Sequence, residues 1–475
     1  MKKHIYIAQA IPYVNAAPHV GHALEYVQAD CLARFYRALG YETFYSDGAD
    51  ENSLKNVQAA EKEGVETKDL VDKYSKRFFD LKGALNLTFD VFNRTSSKEH
   101  FYGAQKLWSL CKKEDIYKKQ YRGLYCIGCE LFYTPDELVS GKCPEHLTEP
   151  DEVEEENYFF NLSNYQKFLE NLIEKDKLLI VPQTRKNEVL SFIKSGLEDF
   201  SISRSRERAR GWGVPVPGDD SQVMYVWFDA LTTYLTALGY GGSDQKLFNK
   251  FWEDANSKKI QVLGKGILRF HAVYWIAMLQ SAGLPLPDEE FVHGYITVDG
   301  QKISKTLGNV IDPFNLVSDF GSEAVRFYLL REIPAWGDGD FSLNRFRDLY
   351  NGELANGLGN LVARVARLAS DTNLALPPKK NFFFKNAVSN NLRNYRFDLA
   401  ILSLWEEISK LDKKINEEKP WELEGADLKQ VISPIAQEIR EIAFNLGPFL
   451  PQTSVKILNQ FTGKVTAEKP LFPRI

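Results

Sequence analysis

Pro18-His19-Val20-Gly21-His22 sits where a short apolar run, His4 to Ala10, gives way to a helical pattern from about Gly21 to Leu39. Far downstream, Lys302-Ile303-Ser304-Lys305-Thr306 follows an apolar segment and a tight Val298-Asp299-Gly300 turn. A strand-to-helix step of the first kind marks a nucleotide-binding α/β fold. The helix start offers unpaired N–H groups and the positive end of the helix dipole to phosphate. Read together, and in this order, the two stretches are the halves of a triphosphate site.

The chemistry explains the residue types. When a carboxylate attacks the α-phosphate of ATP, negative charge builds on the phosphates. His19 and His22 lie one helical turn apart and can face the same way as donors to phosphate oxygens. Gly21 between them lets a nucleotide approach the backbone. Lys302 and Lys305 carry positive charge on a loop, which suits phosphates that move during reaction. Neither motif contains a carboxylate that could act as nucleophile. The pattern therefore points to positioning and electrostatic stabilisation. The plain alternative is a capping histidine, a surface histidine and a solvated lysine turn; the ordered pair of motifs argues against it.

A chain of 475 residues is too long for one core and predicts two to four domains. Its 44% hydrophobic and 26% charged content is that of a soluble globular protein. No apolar run approaches a membrane span, and Met1-Lys2-Lys3 leads straight into a strand, which predicts a cytoplasmic protein with no membrane contact. A net charge of −5 does not advertise a nucleic-acid binder, although a local basic stripe can serve. Arg204, Arg206, Arg208 and Arg210 are one candidate stripe; a solvated, salt-bridged strand is the equal alternative.

Alternating strand and helix patterns, with a strand at Thr43 to Ser46 and helices at Ser53 to Glu63 and Lys98 to Lys113, predict a parallel sheet. Residues 1–115 read as the first half of a Rossmann-like catalytic domain, 116–225 as an insertion and 226–290 as the second half. Residues 291–345 form the region of the lysine loop. Residues 346–475 read as an α-helical bundle, with helices at Leu349 to Ser370, Phe397 to Ile415 and Leu428 to Leu446 and breaks at Pro420 and Pro448. The reactive crevice belongs at the carboxyl ends of the parallel strands.

Three of the five cysteines cluster. Cys126-Ile127-Gly128-Cys129 and Cys143-Pro144-Glu145-His146 form a C-x-x-C and C-x-x-H pair, a complete Cys₃His set for one structural Zn²⁺. Cys31 and Cys111 read as core residues.

At this point the chain resembles a known family. His19-Val20-Gly21-His22 is similar to the HIGH motif, and Lys302 to Thr306 to the KMSKS motif, of class I aminoacyl-tRNA synthetases. Ala10-Ile11-Pro12-Tyr13-Val14-Asn15, Tyr225-Val226-Trp227-Phe228-Asp229-Ala230-Leu231, Phe270 to Trp275 and Phe291-Val292-His293-Gly294-Tyr295 resemble methionyl-tRNA synthetases, over essentially the whole chain. The resemblance implies that methionine attacks ATP, accompanied by Mg²⁺, to give methionyl-adenylate, and that the acyl group passes to the terminal ribose of tRNA(Met). It implies His19, His22, Lys302, Lys305 and Asp50 as catalytic, with Gly21, Gly264 and Ile296 also at ATP. Asp50 would hold the amino group. Ile11, Tyr13, Trp227, Ala230, Leu231, Tyr234, Ile267, His271 and Trp275 would line the methionine pocket, whose aromatic walls suit a thioether. Asn360, Arg364 and Trp421 match anticodon-reading positions, where splayed bases stack and hydrogen-bond; for Trp421 a buried indole is the alternative. The zinc set agrees with the knob this family often carries in its insertion.

Two departures stand out. The family's Asp-Glu-His-Gly reads Asp50-Glu51-Asn52-Ser53 here, which alters the support of the Asp50 loop. Its Gly-Lys-Asp reads Gly264-Lys265-Gly266, removing a carboxylate for the ATP ribose, which implies either weaker ATP binding or compensation from a neighbour such as Glu25. The chain stops soon after the helical bundle, without the C-terminal dimer-forming module of some relatives, which predicts a monomer. The rival readings are another class I synthetase, a catalytically impaired tRNA-binding paralogue and a small adenylate-forming ligase. The short insertion leaves no space for the large editing domain of the leucine, isoleucine and valine enzymes.

Overall fold

The computed structural model describes residues 3–128, 131–144, 147–303, 308–378 and 381–475. By compactness it divides into two units, residues 1–18, 41–82 and 89–292 in the first and residues 19–40, 83–88 and 293–475 in the second.

The first unit is built on a six-stranded sheet. Its strands are β1 (His4–Gln9), β2 (Glu42–Ala49), β3 (Val91–Arg94), β4 (Leu179–Val181), β5 (Ser257–Gly264) and β6 (Glu289–His293), in the order β3-β2-β1-β5-β6-β4. The pairings of β1 with β2 and β5, of β2 with β3 and of β6 with β4 are parallel. The strands read as near-continuous apolar runs because a parallel sheet is covered on both faces; β1 is buried from Ile5 to Gln9. The parallel α/β fold anticipated from the sequence is present. One boundary differs. The segment 116–225 is not a single separate block, because β4 from inside it returns to the edge of the main sheet. The rest of that segment carries an antiparallel sheet in which Ile116–Cys126 pairs with Asp151–Phe160 and Leu131–Tyr133. Helix Thr67–Ala84 and strand β3 were not anticipated either. The helix buries only Leu70, Val71, Ser75, Phe78 and Leu81, a stripe interrupted by charges.

The second unit begins with helix Val20–Ala38 and is helical from Pro313 onward, apart from short strands. The expected C-terminal helices are found at Asn360–Asp371, Phe397–Glu418 and Gly425–Leu446. The first continues from Leu343–Leu349 through a wide i→i+5 winding at Tyr350–Gly359. A fully buried Arg326 ties these pieces together. Its guanidinium lies 2.7 Å from Asp30 of the first helix and donates to the carbonyls of Leu85 (3.2 Å), Pro448 (3.0 Å) and Phe449 (2.9 Å). Asp30 also accepts from Arg34 and from the Thr88 backbone and hydroxyl, each at 2.7 Å. Burial pushes the Asp30 carboxyl up, but the two guanidinium charges and these hydrogen bonds outweigh it and hold it below its usual range. Removing one partner of such a buried pair costs about 3–5 kcal/mol.

Glu290 on β6 is buried, and neither carboxylate oxygen has a hydrogen-bond partner among the described residues. Burial alone raises its pKa well above the ordinary value. The folded chain therefore holds a proton there that the unfolded chain releases above roughly pH 4.3. Stability linked to this proton is complete below that pH and declines as pH rises toward the folded value, by about 1.4 kcal/mol per unit. Glu290→Gln should accordingly stabilise the protein more at pH 8 than at pH 5. Urea melts at the two pH values test this; an equal change at both would refute it.

Candidate active site

His19 is the N-cap of helix Val20–Ala38, with extended backbone (φ −127°, ψ 175°). Its Nδ1 accepts from the Gly21 N–H at 3.1 Å, while Nδ1 of His22 accepts from the His19 N–H at 3.1 Å. This is a reciprocal capping box made of two histidines. The rings stack at 3.9 Å with 29° between planes. Burial lowers the His19 pKa to about 4. Burial, then the neighbouring His19 and His293, lower that of His22 well below its ordinary value. Both rings are therefore neutral near pH 7. With both Nδ1 atoms accepting, each proton sits on Nε2. The cap thus prepares two uncharged N–H donors. Gly21 has a different first reason from the one expected. A Cβ there would lie 2.9 Å from Cε1 and 3.0 Å from Nδ1 of His19, so the glycine makes room for the capping ring.

The second motif lies in the same unit. Ile296–Val298 pairs antiparallel with Gln301–Lys302 across Asp299 and Gly300, both with positive φ (49° and 74°), the two-residue hairpin turn expected. Lys302 is exposed, and its carbonyl accepts from Asn309 Nδ2 at 3.1 Å, joining the chain on either side of the loop. The Val20 N–H donates to the Ile311 carbonyl at 3.0 Å, so the histidine-bearing helix start is bonded to the chain just beyond the lysine motif. Lys305 lies outside the described residues. Ile296 is buried at the start of its strand.

The residues assigned to a methionine pocket gather in the first unit. Trp227, Ala230, Leu231, Tyr234 and Trp275 belong to its main core, and Ile11, Tyr13 and Ile267 pack half-buried against it. Trp227 lies flat on Phe270 (3.9 Å between centroids, 8°) and meets Tyr13 edge-on at 6.1 Å. Phe270 was missing from the expected wall, although it stands in the segment that suggested His271. Nδ1 of His271 faces the Ile267 carbonyl at 2.9 Å and so carries the proton; Nε2 then accepts from the Tyr234 hydroxyl at 2.6 Å. Burial keeps this ring neutral, with its pKa down to about 4. Tyr234 is held in turn by Tyr6, whose hydroxyl donates to its carbonyl at 2.9 Å. Phe270–Trp275 is wound in wide i→i+5 turns, a distortion common at functional sites.

Asp50 is buried just beyond the carboxyl end of β2, bridged in parallel to Tyr13, with its N–H donating to Pro12 at 2.9 Å. The Asp50–Ser53 departure is well supported. Ser53 caps helix Leu54–Glu63 by accepting from the Asn56 N–H. The Asn52 amide donates to the Thr95 carbonyl (3.0 Å) and to Asp229 (3.1 Å). The Glu51 carboxylate takes Arg94 (2.6 Å), Ser75 and Ser96, and its carbonyl takes the Trp212 indole at 2.7 Å.

Other expectations need adjusting. Glu25, suggested as a substitute for the missing carboxylate, is engaged by His293 at 2.7 Å. Gly264 ends β5, and Gly266 is exposed. The arginine run is no basic stripe. Arg204 is buried over the Tyr225 and Tyr125 rings (4.3 and 4.9 Å), and Arg208 pairs with Glu155 at 2.9 Å. Trp421 is 50% exposed, which removes the buried alternative. Asn360 is exposed, and Arg364, one turn on, pairs with Asp412 and donates to Asn416 (3.0 Å), near the end of the helix that leads to Trp421. Of the metal set, Cys126 and Cys143 are buried in one small cluster with Tyr133 and are not in a disulfide. Cys129 and His146 lie outside the described residues. The two thiols fit half of a closed site; no larger group of metal-ligating side chains occurs among the described residues. Among those residues no helix is long and apolar enough to cross a membrane.

The family model for class I tRNA synthetases (M) matches residues 5–155 and 147–366. The methionine–tRNA ligase of Clostridium acetobutylicum is 38% identical over all of this chain and 78% of its own length. That of Brucella suis is 38% identical over 96% of this chain and 91% of its own. Among solved structures, Mycobacterium tuberculosis methionyl-tRNA synthetase in complex with methionyl-adenylate superposes with a TM-score of 0.91 at 35% identity, covering 99% of this chain and all of that one. Its free form gives 0.84 at 33% identity, covering all of this chain and 99% of that one. The chain belongs to the class I tRNA synthetases, in the methionine–tRNA ligase family.

Proposed function

We propose that this chain is a methionine–tRNA ligase. A methionine carboxylate oxygen attacks the α-phosphorus of ATP, the bond to the β-phosphate oxygen breaks, and pyrophosphate leaves. A terminal ribose hydroxyl of tRNA(Met) then attacks the acyl carbon of the adenylate, and AMP leaves. The observation that carries the reading is the capped, stacked pair His19 and His22, two neutral Nε2–H donors at a helix start, in a chain related end to end to methionine–tRNA ligases.

In this reading the two imidazoles hold phosphate oxygens, with Gly21, Gly264 and Ile296 at the nucleotide. Lys302 and Lys305 bring charge to the departing pyrophosphate. Asp50 takes the methionine ammonium. Trp227, Phe270, Tyr13, Leu231 and the His271–Tyr234 pair wall the thioether. Mg²⁺ would accompany ATP as part of the substrate. Cys126, Cys129, Cys143 and His146 would hold a structural Zn²⁺, supplying rigidity to the insertion. Trp421, Asn360 and Arg364 would meet the anticodon, with Arg364 first leaving or sharing Asp412. A cytoplasmic location belongs to the same proposal.

Three measurements test it. Of the twenty amino acids, methionine alone should drive ATP–pyrophosphate exchange; strong exchange with another and none with methionine would overturn the assignment. Lys305→Ala should slow adenylate formation by roughly 10²–10³ with methionine affinity unchanged, because its charge acts mainly in the transition state. Near-normal single-turnover rates would make the loop an ordinary surface turn. Nitrogen-15 spectra should show both His19 and His22 as neutral Nε2–H tautomers at pH 6.5, with His19 titrating near 4; midpoints above 6 would remove the donor argument.

A further inference from the structure

Asp229 is fully buried on Val226–Leu231, the helical segment that carries Trp227, Ala230 and Leu231. Three neighbours make it a junction. Asn52 donates to Oδ2 at 3.1 Å, and the same amide holds the Thr95 carbonyl at 3.0 Å. His100 Nε2 lies 3.5 Å from Oδ1, and the other nitrogen of this buried ring is 2.9 Å from the Thr236 hydroxyl. Thr236 belongs to the next segment, Thr233–Thr236, which carries Tyr234. Asn93 of β3 donates to Thr233 (2.8 Å) and Thr236 (2.9 Å) from the same side. The packing leaves little slack, since a Cβ on Gly103 would come 2.2 Å from the Thr236 methyl.

These contacts join two parts of the site with different chemical tasks. Asn52 is two residues from Asp50, which receives the ammonium in the proposed reaction. Asp229 stands among the residues that wall the side chain. We propose that Asp229 is a positioning residue that fixes, through Asn52 and His100, the spacing between the ammonium site and the thioether wall. The carboxylate touches no substrate. It sets the length of amino acid that the site accepts. The inference rests on the methionine–tRNA ligase reading.

Asp229 accepts from Asn52 and only faces His100 Nε2 at 3.5 Å, without a hydrogen bond; its carboxylate offers acceptors alone to both neighbours, whereas the carboxamide of Asp229→Asn turns an N–H toward one of them. Losing a buried hydrogen bond to a charged group corresponds to roughly a 10- to 100-fold change in an equilibrium. In ATP–pyrophosphate exchange, Asp229→Asn should raise KM for methionine by about that factor, leave KM for ATP within about threefold, and narrow the preference for methionine over the longer ethionine. Asn52→Ala should act in the same direction, and the double variant should lose less than the two singles combined, because both remove one bond. His100→Gln, which keeps a donor and an acceptor, should retain more methionine affinity than His100→Leu. If Asp229→Asn fails to fold, Asn52→Ala and the His100 pair decide the matter alone. A lowered melting temperature with unchanged methionine KM and unchanged ethionine preference would overturn the inference, as would equal losses for methionine and ATP. Absence of methionine-dependent exchange in the unaltered chain would overturn the reading beneath it, a separate result.

Discussion

A polar group cut off from water must find its partner inside the protein, and the carboxyl ends of the central strands are organised by that constraint. The loop after β2 carries Asp50, Glu51 and Asn52, all buried. Glu51 is satisfied by Arg94, Ser75, Ser96 and, through its backbone, by Trp212 and Thr95. Asn52 closes on Asp229. Each bond fixes a rotamer as well as a charge, so the loop is rigid before any ligand arrives. Preorganisation of this kind lowers the entropy lost on binding. It matters most for a flexible, unbranched substrate side chain, which has only contacts of modest strength to offer in return.

The second unit answers the same constraint with charge. Asp30 and Arg326 are both fully buried, and apart from the Arg34 pair one turn along the same helix their polar contacts cross between segments distant in sequence. An ion pair of this sort adds little net stability over well-packed apolar residues, but it tolerates no misalignment. Its effect is to set the rotation of helix Val20–Ala38 within its unit. That rotation decides where His19 and His22 face. The capping box then settles which nitrogen of each ring carries the proton.

Much of this was legible in the sequence, for identifiable reasons. The parallel sheet, the helix after Pro18 and the Asp299–Gly300 turn rest on local patterns of apolar period, helix start and turn chemistry, and these act over a few residues. What was not legible depended on distant partners. Arg204 and Arg208 look like a solvated stripe until Tyr125, Phe132 and Glu155 are brought over them. β4 has three residues inside an insertion, too few to declare that it rejoins the main sheet. Helix Thr67–Ala84 hides its narrow apolar stripe among charges. Exposure of Trp421 follows from what covers a helix break, which composition does not state. Asn52 and Ser53 looked like losses because only one residue type was expected there; a cap and a buried amide do the supporting instead.

The proposed division between neutral and charged phosphate donors has its own logic. In the proposed reaction His19 and His22, half-buried and uncharged, would orient a polyanion without holding it by net charge. A rigid pair of buried cations at that helix start would bind the triphosphate and the departing pyrophosphate alike, and uniform binding of that kind gains little in rate. Lysines on a loop behave differently. Lys302 is exposed, which suits a charge that the phosphates of the proposed reaction would draw in. In the proposed reaction negative charge moves toward the leaving group as the bond to the α-phosphorus breaks, and ammonium groups that meet it there would contribute most at that moment. The sequence separates these tasks cleanly. Histidines stand where the helix start and its cap fix geometry, and Lys302 stands exposed at the end of the hairpin.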